Sequence, residues 1–345
     1  MSTADAVAAV LWVGATFYAV FGGADFGAGF WSLIAGGGER GRRARELIDW
    51  VIGPVWEANH VWLIFVLVVL WTGFPEAFGS IFSTLFIPLS LAALGIVLRG
   101  SGFAFHKTAR RFAGRQLAER LFGLSSLLTP FFMGTVIGAI ASGRVPVGNA
   151  AGDPVTSWLN GLSLLVGALF VVTSAYVSAV FLVSDARRAE AADLERYFTL
   201  RALAAAVVAG AFAVAGLVVL HSDARYVYDR LTAEGLPLVI LSGLCGLGVL
   251  LLLLRRGTRG IRPLAVGAVV AVIWGWGVAQ FPYLLPEKLT IADGAGASAT
   301  MTGVLIVFGV AVLLVLPAIA LLFTLAQRSM IEETERPQPH GTIGS

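Results

Sequence analysis

Residues 236–254 read LPLVILSGLCGLGVLLLLL, nineteen consecutive residues without a charged side chain. A helix needs about 20 mainly apolar residues to cross the hydrocarbon core of a membrane. This segment therefore predicts a transmembrane helix. Eight further segments meet the same standard, and the nine together cover residues 7–34, 51–71, 78–98, 121–141, 158–183, 203–220, 236–254, 264–283 and 303–325.

The composition of the whole chain agrees with these segments. Hydrophobic residues make up 57% of the 345 residues and charged residues 13%, whereas soluble domains carry about 25% charged residues. We therefore predict an all-α integral membrane protein with about nine transmembrane helices. The first segment is long and rich in glycine, which predicts a tilt or an irregularity near residues 22–29. We expect one polytopic transmembrane domain over residues 1–330 and a disordered polar tail over residues 331–345.

The basic residues predict the orientation of the helices. Four of the 24 lysines and arginines lie in one set of alternate loops, namely Arg144, Arg225, Arg230 and Lys288, and the other 20 lie on the opposite side. Because cytoplasmic loops carry the excess of lysine and arginine, the N-terminus is predicted to lie outside and the C-terminus in the cytoplasm. We expect the lipid bilayer to surround this chain, and we expect no nucleic acid to bind to it.

Two acids fall inside predicted helices, where a charge is costly and is usually functional or paired. They are Asp25, in the run GGADFGAG at residues 22–29, and Glu57, in PVWEANHVW at residues 54–62. Each lies roughly eight or nine residues, about 12–14 Å, from the cytoplasmic end of its helix. Two carboxyl groups at one depth predict a proton path from the cytoplasm, and a hydrogen bond across a helix interface is the alternative.

Four polar or aromatic residues accompany these acids. His60 follows Glu57 by three residues and shares its helix face, so hydrogen bonding in the acid cluster is favoured over haem ligation. Trp56 and Asn59 are candidates for contact with a quinone ring. Arg99, at the predicted cytoplasmic end of the third segment, is a candidate donor to a quinone carbonyl, although such an arginine often extends to the membrane surface instead.

Three phrases resemble a known family. The run GADFGAG at residues 23–29, the run PVWEANHVWLI at residues 54–64 and the run FPYLLP at residues 281–286 are similar to subunit II of cytochrome bd quinol oxidases. Shorter matches occur at Phe74-Pro75, Leu98-Arg99-Gly100, Thr129-Pro130 and Gly143-Arg144-Val145-Pro146. The matches run in order along nearly the whole chain.

This resemblance implies two four-helix bundles plus one extra helix in a bacterial inner (plasma) membrane. It implies a heterodimer with subunit I, which carries haems b and d and the site that oxidises quinol from the membrane pool while oxygen is reduced to water. Subunit II would be haem-free, with no covalently bound cofactor, and in some members it holds a structural quinone. By position, Asp25 and Glu57 match acids of a cytoplasmic proton-uptake route, and Trp56 and Arg99 match residues near the quinone.

One departure and two alternatives accompany this interpretation. A third acid that some members have shortly after the arginine is absent, and Phe103, Phe105 and His106 occupy that region. A proton-coupled secondary transporter would also need intramembrane acids, and a membrane anchor for another enzyme would need none. We expect no catalytic residue and no metal ligand in this chain, so activity would require the assembled complex.

Overall fold

A computed structural model describes residues 2–52, 56–108, 112–257 and 259–327. Almost all of this chain is helical. The helices are α1 (Thr3–Phe17), α2 (Gly23–Leu33), α3 (Glu39–Ile52), α4 (Trp56–Gly73), α5 (Pro75–Thr84), α6 (Phe86–Thr108), α7 (Phe112–Ala141), α8 (Gly161–Arg188), α9 (Ala192–Asp223), α10 (Arg225–Thr232), α11 (Leu236–Leu254), α12 (Ile261–Gln280) and α13 (Ser298–Gln327). Between α12 and α13, β1 (Tyr283–Leu285) and β2 (Leu289–Thr290) form an antiparallel hairpin.

Seven helices within the described ranges are long and apolar enough to cross a membrane. They are the α1–α2 unit and α7, α8, α9, α11, α12 and α13. The outer faces of α9 and α13 are apolar, with Val218 68% and Leu313 74% exposed, as expected for side chains in contact with lipid. The all-helical membrane fold is confirmed, whereas the count of nine and the orientation stay predictions.

The irregularity predicted in the first helix lies slightly before the expected position. A π-helical turn occupies Tyr18–Gly22 and joins α1 to α2. Such a turn holds one extra residue inside an otherwise continuous helix and often occurs at functional sites. It re-aims every side chain of α2, including Asp25, relative to α1.

The predicted continuous span over residues 78–98 is wrong in the structure. Helix α5 ends at Thr84 and α6 begins at Phe86, so the span is broken at Leu85. A second break precedes it, where the chain bends by 117° between Val61–Gly73 of α4 and α5. Pro75 is well placed at the start of α5 because a first-turn proline loses no helical hydrogen bond. Pro88 explains the break at Leu85, since a proline ring clashes with the carbonyl four residues earlier, here that of Thr84.

Two apolar clusters are buried between the helices. One packs α2, α3, α8, α9, α11 and α12 together, and it includes Trp31 and Phe198. The other joins α1, α4, α5, α7 and α13 to the hairpin, and it includes Phe74, Leu285 and Met301. The second cluster therefore fixes the hairpin and the bent α4–α5 unit against the ends of the transmembrane helices.

Candidate functional site

The centre of the site is a buried ion pair between α2 and α6. Arg99 is 0% and Asp25 5% exposed. Nη2 of Arg99 donates to Oδ1 of Asp25 at 2.6 Å and to its backbone carbonyl at 3.0 Å, and Nε donates to Oδ2 at 3.2 Å. The pair is thus bidentate, the geometry in which a guanidinium binds a carboxylate most strongly.

The remaining surroundings of Arg99 come from α7 and α2. Nη1 donates to the hydroxyl of Ser126. The guanidinium also lies over two rings, 4.1 Å from the centre of Phe122 and 5.2 Å from that of Phe26. Four of the five N–H groups of an arginine are therefore engaged by groups in the described part of the chain.

Glycines bring the helices close enough to enclose this pair. A Cβ at Gly27 would overlap the backbone carbonyl of Ser174 in α8, and one at Gly29 would overlap the hydroxyl of Ser126 and lie 2.9 Å from Nη1 of Arg99. Small residues allow such close packing of transmembrane helices. The glycine-rich run at residues 22–29 therefore serves the packing of α2 on α7 and α8.

We expect Gly27→Ala to destabilise the assembled protein by about 1–3 kcal/mol, as overpacking a tight interface does. The added methyl group meets the backbone of α8, which cannot turn away as a side chain can. Thermal unfolding of the purified protein measures the loss. Gly210→Ala is the matched control because Gly210 also lies within a helix and has open space around it; equal melting temperatures for the two variants would contradict this role.

In the structure Arg99 is bound inside the protein. It does not extend to the membrane surface, because α6 continues to Thr108 and Arg99 lies well inside it. With four N–H groups engaged, it has little capacity left for a quinone carbonyl. Asp25 makes a cross-helix bond to Arg99, and its role in proton transfer stays a prediction.

The other predicted site residues lie at the start of α4. The helix begins at Trp56, but the side chains of Trp56, Glu57, Asn59 and His60 fall outside the described residues. The nearest described contact is the stacking of Trp62 on Phe17 of α1, with ring centres 4.4 Å apart. This contact sets α4 beside the α1–α2 unit.

A second buried acid was missed by the sequence analysis. Asp185 is 6% exposed, accepts a hydrogen bond from Nη2 of Arg262 in α12, and lies 3.9 Å from Nη1 of Arg188. The predicted fifth span ended at residue 183, whereas α8 continues to Arg188. An acid just past an apolar run, followed by arginines, is the signal that could have identified it.

Two known proteins resemble this chain over most of its length, and a third resembles part of it. It is 24% identical over 321 residues to a Bacillus subtilis protein described as a cytochrome bd menaquinol oxidase subunit II, a match covering 89% of this chain and 91% of that protein. A 135-residue stretch is 31% identical to the cytochrome bd ubiquinol oxidase subunit 2 of the same organism, covering 39% and 38%. The structure of the bd oxidase from Geobacillus thermodenitrificans matches with a TM-score of 0.76 and 27% identity, covering 95% of this chain and 100% of that one.

The model of the family "Cytochrome bd terminal oxidase subunit II" matches residues 3–326. The resemblance read from the sequence is thereby confirmed, and it replaces the transporter and anchor alternatives. The chain is a multi-pass protein of the bacterial plasma membrane and one subunit of a haem-containing quinol-oxidising complex. It belongs to the cytochrome bd terminal oxidase subunit II family.

Proposed function

We propose that this chain is the haem-free member of the oxidase, that it pairs with a haem-bearing subunit I, and that it admits protons from the cytoplasm. Haems b and d would lie in subunit I, which would oxidise quinol, and the protons consumed in oxygen reduction would reach it through Asp25, Glu57 and His60. The observation that carries the proposal is the ion pair of Asp25 and Arg99, buried among apolar helices.

A buried charge pair is costly to maintain in such surroundings. Its desolvation penalty often exceeds the attraction between the charges, and apolar residues would frequently give equal stability. Ionisable groups inside a membrane protein are therefore candidates for function by default. A carboxylate held within the helices on the predicted cytoplasmic side supports a role in proton entry.

The stacking of Phe17 on Trp62 supports a similar depth for the two acids. Glu57 lies five residues, about 7.5 Å, before Trp62, and Asp25 lies eight residues, about 12 Å, after Phe17. Because α1 and α4 run in opposite directions, both distances lead toward the predicted cytoplasmic side. Along their helices, the backbones of the two residues would then differ in depth by about one helical turn.

The ion pair gives Arg99 a defined part in the proposal. Arg99 occupies both carboxylate oxygens of Asp25, Oδ1 through Nη2 and Oδ2 through Nε. A proton from Glu57 would reach Asp25 only as the guanidinium withdraws from the carboxylate. We propose Trp56, Asn59 and Arg99 as a separate site that contacts a quinone. Because Arg99 is already bonded to Asp25 and Ser126, Trp56 and Asn59 would make the main contacts with the quinone.

Purification of the tagged chain from its native membrane tests the pairing. We expect a second, haem-bearing subunit to co-purify, and reduced-minus-oxidised spectra to show b- and d-type haems. The haem should stay with subunit I when the two chains are separated. Recovery of this chain without haem under conditions that preserve membrane complexes would contradict the proposal, as would haem retained by this chain alone.

A further inference from the structure

Two basic side chains on the predicted outer side have no acidic partner within the described residues. That side carries four lysines and arginines. Nε of Arg225 lies 3.0 Å from Asp229, and Nη2 of Arg230 lies 3.6 Å from Glu234. Arg144 and Lys288 make no ion pair in the part of the chain that the structure describes.

These two cations line the same cavity although 144 positions separate them in the sequence. The cavity is shallow and widely open to the surface, has a volume of about 630 Å³ and lies between the α7–α8 connection and Lys288 of the hairpin. Its other polar lining residues include Asp153, Thr156, Ser157 and Asn160. Gly143, Arg144 and Pro146 of the phrase 143–146 thus line this cavity, and Lys288 follows the phrase 281–286 by two residues.

The walls are held by local hydrogen bonds. The hydroxyl of Ser157 donates to the carbonyl of Arg144 at 3.2 Å, and the side chain of Asn160 caps α8 by accepting from the amide of Ser163 at 3.0 Å. On the opposite wall, the amide of Lys288 donates to the carbonyl of Leu285 at 3.0 Å. Hydrogen bonds therefore fix the backbone of both Arg144 and Lys288.

The guanidinium of Arg144 has unused donor capacity. Its Nη1 is buried and has no hydrogen-bond partner within the described residues. Buried donors are nearly always paired, and an anionic group in the cavity would supply the partner that Nη1 lacks after a small movement of the Arg144 side chain.

Asp153 is the one acid among the lining residues, and its carboxylate is already engaged. Its Oδ1 accepts from the amides of Thr156 at 2.7 Å and of Val155 at 2.9 Å. These backbone hydrogen bonds, that of Thr156 first, lower the pKa of Asp153, so it stays charged. Two cations against one engaged carboxylate leave the cavity with a net positive charge.

We propose that this cavity binds the phosphate of an anionic phospholipid in the outer leaflet. The guanidinium of Arg144 and the ammonium of Lys288 would contact the phosphate oxygens. Leu159 lines the cavity and is 52% exposed, and the neighbouring Val155 is 44% exposed, which provides apolar surface for the glycerol and the first acyl carbons. Trp158 precedes Leu159 at the predicted outer end of a span, and tryptophans at such positions anchor proteins at the membrane interface. A free phosphate ion shares the charge but would not use this apolar surface.

Lipid retention by the purified oxidase complex tests the proposal. The complex is incorporated into nanodiscs of phosphatidylglycerol and phosphatidylcholine, and the retained lipid is measured by native mass spectrometry. We expect Arg144→Gln and Lys288→Gln each to weaken phosphatidylglycerol retention about tenfold, as loss of one charge-assisted contact does. Lys288 is exposed, so its variant is informative even where Arg144→Gln lowers the yield.

A control variant and a competition experiment complete the test. Arg225→Gln is the matched control, since it removes a cation of the same side that is paired with Asp229, and it should leave retention unchanged. Addition of inorganic phosphate should not displace the lipid. Equal retention in all variants would overturn the proposal, and so would binding of inorganic phosphate without retention of phosphatidylglycerol.

Discussion

Arg99→Leu should sharply reduce the amount of assembled oxidase. The substitution leaves the Asp25 carboxylate buried without its partner, and breaking a buried pair in this way costs about 3–5 kcal/mol. A loss of that size is a large fraction of the stability of an ordinary domain. Thermal unfolding and the yield of haem-bearing complex, measured on membranes expressing equal amounts of both chains, give the result.

The double variant Asp25→Leu, Arg99→Leu is the decisive control. Replacement of both charges by apolar side chains is often neutral for stability, so we expect the double variant to recover most of the complex that Arg99→Leu loses. It should not recover oxygen consumption, because the carboxylate of Asp25 is gone. A double variant as unstable as Arg99→Leu would show that the loss comes from packing around Phe122 and Ser126 and not from the unpaired charge.

Glu57→Gln should lower the turnover of the assembled complex by about 100-fold or more, within the range that removal of a proton-transferring group produces. Glutamine keeps the shape and hydrogen-bonding capacity of the side chain but cannot pass on a proton. Steady-state oxygen consumption with excess quinol measures turnover, normalised to haem content, which we expect to be unchanged.

Glu76→Gln provides the comparison for this variant. Glu76 is exposed and lies in the first turn of α5, on the predicted outer side, so neutralising it should leave turnover as it is. A Glu57→Gln complex that consumes oxygen at the rate of the unmodified complex would remove Glu57 from the proton route.

The sequence predicted the membrane class and singled out Asp25 as a buried acid because both depend on local composition. Nineteen consecutive residues without a charge are long enough to cross a membrane, and an acid within an apolar helix is conspicuous. The family resemblance added the oxidase, which composition alone could not supply. Without the resemblance, the residues support only a membrane protein that handles protons.

The partner of Asp25 could not be read from the sequence. Arg99 lies 74 positions away on another helix, and hydropathy ended the third segment at residue 98, immediately before it. The third segment was predicted to end there, yet α6 continues to Thr108. The same error in the fifth segment concealed Asp185, since α8 extends five residues beyond the predicted end.

The break between α5 and α6 was predictable but was overlooked. Hydropathy is continuous across Leu85 and therefore predicts one span, whereas the steric effect of Pro88 on the carbonyl of Thr84 interrupts the helix. The cavity lined by Arg144 and Lys288, in contrast, could not be predicted from a local sequence feature. It requires the hairpin to pack against the α7–α8 connection, a tertiary contact that no local pattern encodes.

Proton entry through this chain is measured most directly by time-resolved proton uptake. The fully reduced complex is mixed with oxygen in the presence of a pH-indicating dye, while haem absorbance reports oxygen binding and haem oxidation in the same sample. We expect Glu57→Gln to leave oxygen binding unchanged and to slow proton uptake from solution together with the haem oxidation that depends on it. Proton uptake as fast as in the unmodified complex would contradict the assignment of the cytoplasmic proton route to this subunit.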